Sequence, residues 1–321
     1  MKLLRISPMR KTLPNVVGHQ LPHIAALRPK QWTKNLIVFA APLFAFSINL
    51  QSFLSSLLAF VLFCCASSSF YLFNDIVDIE SDRQHPVKCH RPIAAGLVSI
   101  PVALGMALLL LFSAIIIGWL KSPGLGVVLL CYALVQFAYN KRLKQTVILD
   151  LVAIATGFVL RACGGAAATG IVLSSWFLLC TAMLALFLGV EKRKAELRLA
   201  IKGGKTRAVL KRYSLSLLTR MENIVTTCAI MTYAIWSSGP TFNGASTPWM
   251  LLTLPFVLYG IFRYQLLSDP EEIARRSALV GGQTERPEEV LLTDLPILFT
   301  VLSWVVTVFV ILFLKSHGVI K

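Results

Sequence analysis

The residues best suited to chemistry lie in one short run, Asn74-Asp75-Ile76-Val77-Asp78-Ile79-Glu80-Ser81-Asp82, at the end of an apolar stretch. On a helix, Asn74, Asp78 and Asp82 recur at i, i+4 and i+8 and form one stripe, with Asp75 beside it at i+3 and i+7 from the other two. Three carboxylates on one face repel by roughly a few tenths of a kcal/mol per exposed pair, and by more as water is removed. A divalent cation relieves that repulsion. Mg²⁺ prefers oxygen ligands and commonly joins one or two carboxylates to the phosphates of a substrate. Asp75, Asp78 and Asp82 are therefore the expected Mg²⁺ ligands and catalytic carboxylates, with Asn74 binding substrate beside them. Glu80 falls off the stripe and is expected to face solvent. Arg83, His85, Lys88 and Arg91 follow at once, and Lys88 and Arg91 are expected to hold phosphate oxygens. The simpler alternative is a solvated acidic helix end paired with those same cations. The alternation of metal ligands with phosphate-binding cations favours a metal–diphosphate site.

A second set of polar residues stands further on. Asp150 and Arg161 both fall within an apolar stretch, eleven residues apart, which is about three turns and roughly 16 Å by helical rise. They are too far apart to pair directly, so each requires another partner or a ligand. Lys141, Arg142 and Lys144 surround the region with positive charge. Asp150 is expected to take part in catalysis, and Lys144 and Arg161 in binding an anionic substrate. Lys192 and Glu196 are spaced i, i+4 with Arg193 beside them; a surface ion pair explains that spacing, and a substrate contact at the same rim is the functional reading. Lys34 and Tyr139 are further substrate-binding candidates, which could equally anchor helix ends at the interface.

The elements that must position these residues are transmembrane helices. The chain has 321 residues, 56% hydrophobic and 14% charged, with a mean hydropathy of +0.72, and nearly uncharged stretches recur along its length. Nine such stretches are expected to span the bilayer: 36–50, 53–73, 101–120, 123–138, 147–168, 174–190, 223–238, 248–262 and 295–314. The first and fourth are short and require tilt. Seven of the 31 Lys and Arg residues precede the first stretch; the loops after the second, fourth, sixth and eighth hold 3, 3, 10 and 4, and the opposite loops and C-terminus hold only Lys121, Lys315 and Lys321. This bias predicts a cytoplasmic N-terminus in the inner (plasma) membrane and an outer C-terminus. The expected fold is an all-α bundle of nine transmembrane helices. Short interfacial helices are expected to cap it in the two long polar loops, 191–222 and 263–294. The expected divisions are a basic cytoplasmic tail at 1–34, one membrane-embedded catalytic domain at 35–314 and a short outer tail at 315–321.

The net charge of +16 suits contact with anionic lipid and attraction of an anionic substrate. Nucleic acid is a poor partner, because no basic stripe with interleaved aromatics occurs outside the membrane loops. An ion or phosphate transporter would spread carboxylates through the depth of the bilayer, and here they crowd at one rim. Six of the seven cysteines lie in apolar stretches and none forms a CxxC pair, so they read as packing residues.

The segment NDIVDIESDRQHPVKCHRPIAAG at Asn74 to Gly96 resembles the first aspartate-rich motif of the UbiA superfamily of intramembrane prenyltransferases. Within it, RPKQWTKN at Arg28 to Asn35, LKQTVILD through GFVLRACGG at Leu143 to Gly165, and EKRKAEL at Glu191 to Leu197 are similar to the phosphoribosyltransferase branch. The resemblance implies a UbiA-type bundle that transfers 5-phosphoribose from phosphoribosyl diphosphate to a polyprenyl phosphate of decaprenyl type, with Mg²⁺ as cofactor. It also implies substrate contacts from Lys192, Arg193 and Glu196. A superfamily prenyltransferase acting on an aromatic acceptor is the alternative, and an oligomer is compatible with either.

Overall fold

The computed structural model describes residues 21–47, 49–85, 87–201, 208–277 and 293–320. The described chain is helical, with no strand. In order, the α-helices are α1 (Pro22–Ala26), α2 (Ala40–Phe44), α3 (Leu50–Val77), α4 (Ile79–Arg83), α5 (Ile100–Lys121), α6 (Pro123–Lys141), α7 (Leu149–Thr169), α8 (Ser175–Ile201), α9 (Leu215–Ser237), α10 (Leu254–Ser268), α11 (Pro270–Ser277) and α12 (Leu295–Ser316). Among the described residues, seven helices are long and apolar enough to cross a membrane, namely α3, α5, α6, α7, α8, α12 and the segment Pro248–Ser268 that contains α10. The chain is a multi-pass membrane protein. In hydrocarbon every backbone polar group needs an internal partner, which only helices or closed barrels supply.

Two expected spans take another form. The stretch 36–50 is not one α-helix: a 3₁₀ segment at Pro29–Phe39 leads into α2, and Phe46 has a φ of 50°. Pro29 and Pro42 each remove a backbone donor from this segment, and Leu50 belongs to the next helix, whose N-terminus is capped by the Asn49 side chain accepting from Ser52 N–H at 2.8 Å. The stretch 223–238 begins eight residues earlier, as α9, because Ser214 caps it by accepting from Leu217 N–H at 3.1 Å. The polar loops also shorten. Helix α8 runs on to Ile201, well into the expected loop 191–222, and the second loop contains α11, whose first turn carries Glu271 and Glu272. Most of the expected 1–34 tail, residues 1–20, and residues 278–292 lie outside the described residues.

Helix α7 is the centre of the bundle, packing against α3, α6, α8, α2 and the 3₁₀ segment. Small residues make this possible, as is usual where helices meet in lipid. A Cβ added at Gly165 would stand 1.9 Å from the carbonyl oxygen of Val38, and one at Gly164 would stand 2.2 Å from the Phe63 ring. The first segment therefore lies directly on the α7 backbone. This close approach lines up Asn35, Arg161 and the C-terminal end of α3.

Candidate active site

Helix α3 delivers the acidic run. Its last turn carries Asn74 and Asp75, and the chain bends at Asp78 (φ −92°, ψ 10°) before α4 resumes. The i to i+4 backbone bonds persist through the bend, from Asp78 N–H to Asn74 O at 2.9 Å and from Asp82 N–H to Asp78 O at 2.8 Å, so the predicted spacing survives. The convergence differs in detail. Asp75 and Asp82 are buried, at 2% and 1% exposure, and share one cation: Arg91 Nη1 donates to Asp75 Oδ1 at 3.0 Å and to Asp82 Oδ2 at 2.6 Å. Arg28 also donates to Asp75 Oδ1, and Lys88 Nζ stands 3.8 Å from Asp82 Oδ1. Asp78 is half-buried, and its carboxylate makes no hydrogen bond or ion pair with the described residues. Asn74 is half-buried one turn before it, and Glu80 is exposed and paired with Arg83 at 3.1 Å, as expected from its place off the stripe.

The site is therefore two carboxylates facing one cation position, with a third acid beside them. Among the described residues, no three His, Cys, Asp or Glu side chains stand together at metal-binding geometry, so the expected three-carboxylate cage is not preformed. The pair fits Mg²⁺ nevertheless, since this ion takes one or two protein carboxylates and completes its shell with substrate oxygens and water. The guanidinium nitrogen of Arg91 marks where positive charge is held between Asp75 and Asp82.

Asp150 and Arg161 do not meet, and each has found separate partners. Asp150 is fully buried at the start of α7 and accepts from Arg193 Nε and from the Tyr213 hydroxyl, each at 2.8 Å. The Tyr213 oxygen in turn accepts from Ile148 N–H at 2.8 Å. Ile148 has a φ of 71° and a ψ of −48°, a conformation that a β-branched residue adopts only when its surroundings enforce it. Burial pushes the Tyr213 hydroxyl up to about 12, so it remains a donor at neutral pH. Arg193 is 1% exposed; its Nη1 donates to Glu196, and its Nη2 is buried without a partner. Glu196 thus takes Arg193, three residues before it.

Arg161 is 5% exposed and has no carboxylate partner among the described residues. Its Nε donates to Asn35 Oδ1 at 2.6 Å and its Nη2 to the Tyr132 hydroxyl at 2.8 Å, and its guanidinium lies 4.8 Å and 5.4 Å from the ring centroids of Tyr132 and Phe158. Of the other candidates, Lys34 donates to Gln31 at 2.5 Å, while Tyr139 and Lys144 are half-buried at the end of α6 and on the 3₁₀ turn after it. Arg28 and Tyr213 were not singled out by spacing. Arg28 opens the RPKQWTKN segment, which is a usable signal; Tyr213 follows a basic loop and carries none. A third polar network, Lys194 with Glu191 at 2.9 Å and with Glu222, and Gln265 with Glu222 at 2.8 Å, joins α8 to α9 and α10. Helix α8 thus has two polar faces, one toward Asp150 and one toward α9.

Comparison with known proteins agrees with this architecture. Residues 36–281 match the model of the UbiA prenyltransferase family. The chain is 37% identical over 299 residues to a decaprenyl-phosphate phosphoribosyltransferase of Mycolicibacterium smegmatis, covering 89% of this chain and 90% of that one. It is also 37% identical over 290 residues to the protein of the same name from Corynebacterium glutamicum, covering 88% and 84%. A UbiA homolog from Archaeoglobus fulgidus, solved with GPP and Mg²⁺, superposes with a TM-score of 0.65 at 17% identity, over 90% of this chain and 98% of that one. On the family match and on relatives this similar over nearly the whole length, the chain belongs to the UbiA prenyltransferase family.

Proposed function

We propose that this protein transfers 5-phosphoribose from phosphoribosyl diphosphate to a polyprenyl phosphate of decaprenyl type and releases diphosphate. The observation that carries the reading is the shared position between Asp75 and Asp82, ringed by Arg28, Lys88 and Arg91. Acids that hold a divalent cation stand there among cations that bind phosphate oxygens. The names of the two bacterial relatives supply the reaction that this chemistry fits.

In the reaction, the C1–O bond to diphosphate breaks and a phosphate oxygen of the acceptor forms the new bond to C1. Asp75 and Asp82, with Asp78 beside them, would hold Mg²⁺, which would supply positive charge to a leaving diphosphate. Arg91 and Lys88 turn from these carboxylates to the diphosphate once it is bound. The acceptor phosphate is already anionic at neutral pH, so no strong general base is required, and positioning supplies much of the rate. Arg193 and Lys192 bind a phosphate group at the α8 rim, with Lys144 and Tyr139 on the facing turn. Asp150 is enclosed by Arg193 and Tyr213, so its role is to orient Arg193, and direct contact with ribose is not assigned to it. Arg161, lacking an acid, gives the inner wall a positive charge. It also holds Asn35, and through it the first segment that bears Lys34 and Arg28. The fold is read as nine crossings, counting α9 and the 3₁₀–α2 segment with the seven long helices, with this rim on the cytoplasmic side of the inner membrane.

The test is direct. Purified protein given labelled phosphoribosyl diphosphate, a polyprenyl phosphate and Mg²⁺ should yield a labelled lipid and free diphosphate. Consumption of a prenyl diphosphate with an aromatic acceptor, and no labelled lipid, would reject this reading for the other chemistry known in the family.

A further inference from the structure

The reaction leaves open where the long hydrocarbon chain of the acceptor lies. Helix α3 carries Leu54, Val61, Ser68 and Asp75 at successive intervals of seven residues, which keeps them close to one face, drifting only about 20° per step. Two cavities follow that face along the seam between α3 and α5. The inner one, about 160 Å³, is lined by Leu27, Trp32, Val61, Cys65, Ser68 and Leu110. The outer one, about 560 Å³, is lined by Leu54 and its neighbours on α3, and by Lys121 at the end of α5.

The inner cavity adjoins the phosphate-binding cluster. Leu27 precedes Arg28, whose guanidinium holds Asp75, and the Leu27 carbonyl accepts from Ser68 at 2.9 Å. The Trp32 indole donates to the same Ser68 hydroxyl at 3.0 Å. These bonds satisfy the polar atoms of the wall and leave an apolar surface. Val61 is 46% exposed and Leu54 52%, whereas Ser68 is 1% exposed, so the seam opens to lipid from Val61 outward and is closed over at Ser68. By helical rise Ser68 lies about 10 Å below Asp75, Val61 about 21 Å and Leu54 about 31 Å.

We infer that the isoprenoid chain of the acceptor lies in the seam between α3 and α5, running from Arg28 past Val61 to Leu54. This inference rests on the proposed reaction. Hydrocarbon gains little from leaving lipid for an apolar groove; the seam's effect is to fix the direction in which the acceptor phosphate is presented. An isoprene unit extends roughly 4 to 5 Å, from four carbon–carbon bonds of about 1.5 Å each. Two units therefore end near Ser68, five reach the level of Val61, and ten pass Leu54.

Acceptors of two, five and ten isoprene units, tested on the full-length protein as wild type, Val61→Trp and Leu54→Trp, distinguish this route from others. Both side chains are exposed, so a larger group is compatible with folding, and monodispersity and melting temperature check it. Val61→Trp should lower kcat/KM about tenfold or more for the five- and ten-unit acceptors, because a misdirected phosphate loses its alignment. Leu54→Trp should lower it for the ten-unit acceptor alone. Neither should change the KM for phosphoribosyl diphosphate or turnover of the two-unit acceptor. Equal effects at all lengths, or no effect, would overturn the route. So would an altered oligomeric state with unchanged length discrimination, which would make the seam a contact between copies. Absence of transfer to any acceptor by the wild type would sink the reaction itself, an outcome separate from transfer without length dependence.

Discussion

At the scale of single residues, the acid that finds no cation among the described residues is the one most available to an incoming metal. Asp75 and Asp82 are neutralised by Arg28, Lys88 and Arg91, whereas Asp78 is half-buried with no such partner. Asp78→Asn keeps the shape and removes one ligand charge, and turnover in the labelled-transfer assay should fall about 10²-fold or more without recovery in excess Mg²⁺. Near-normal turnover would remove Asp78 from the chemistry. Tyr213 has a different signature. Its hydroxyl is raised from 10.0 to about 12, chiefly by burial, so the folded state prefers the protonated form. That contribution to stability is complete below pH 10 and is lost as pH rises from about 10 to 12. Tyr213→Phe should melt at a lower temperature at neutral pH, consistent with about 1–3 kcal/mol for a stranded Asp150 oxygen and Ile148 N–H. Its melting temperature should also decline less steeply above pH 10 than that of the wild type. The acidic run was legible in the sequence because its spacing is helical. The Asp150–Arg193–Tyr213 contact was not, because it joins residues 43 and 63 positions apart and no local pattern encodes such a pairing.

At the scale of elements, the bundle depends on how closely the first segment approaches α7. A methyl group at Gly165 has no space against the Val38 carbonyl, so Gly165→Ala should destabilise the protein by about 1–3 kcal/mol, read as a lowered melting temperature in detergent. Because Asn35 of that segment is held by Arg161, the same change should weaken phosphoribosyl diphosphate binding through Arg28. Unchanged stability would show that the segment is not tightly docked. Apolar length located most long helices from sequence alone, since lipid demands both together. It did not give the form of 36–50, where prolines and a positive φ at Phe46 break the element into 3₁₀ and α turns, or the start of α9, where charged residues lie inside a helix. Glu222 there is buried against Lys194 and Gln265, and a hydropathy count reads such a residue as loop.

At the scale of the whole molecule, cations of the polar loops surround the site. A basic rim draws anionic donor and acceptor to the same face, while the groove between α3 and α5 directs the acceptor's chain. Transfer should therefore cease on chelation of divalent cations and return when Mg²⁺ is restored. The central claim is that Asp75 and Asp82 bind the donor through a metal. Its most direct test is equilibrium binding of labelled phosphoribosyl diphosphate to the purified protein, with Mg²⁺ and with chelator, in the wild type and in the Asp75→Asn/Asp82→Asn double variant. The account predicts that Mg²⁺ tightens binding by about tenfold or more in the wild type, some 1.4 kcal/mol, and that the double variant loses this gain. Equally tight binding without metal, unchanged by the two substitutions, would contradict it.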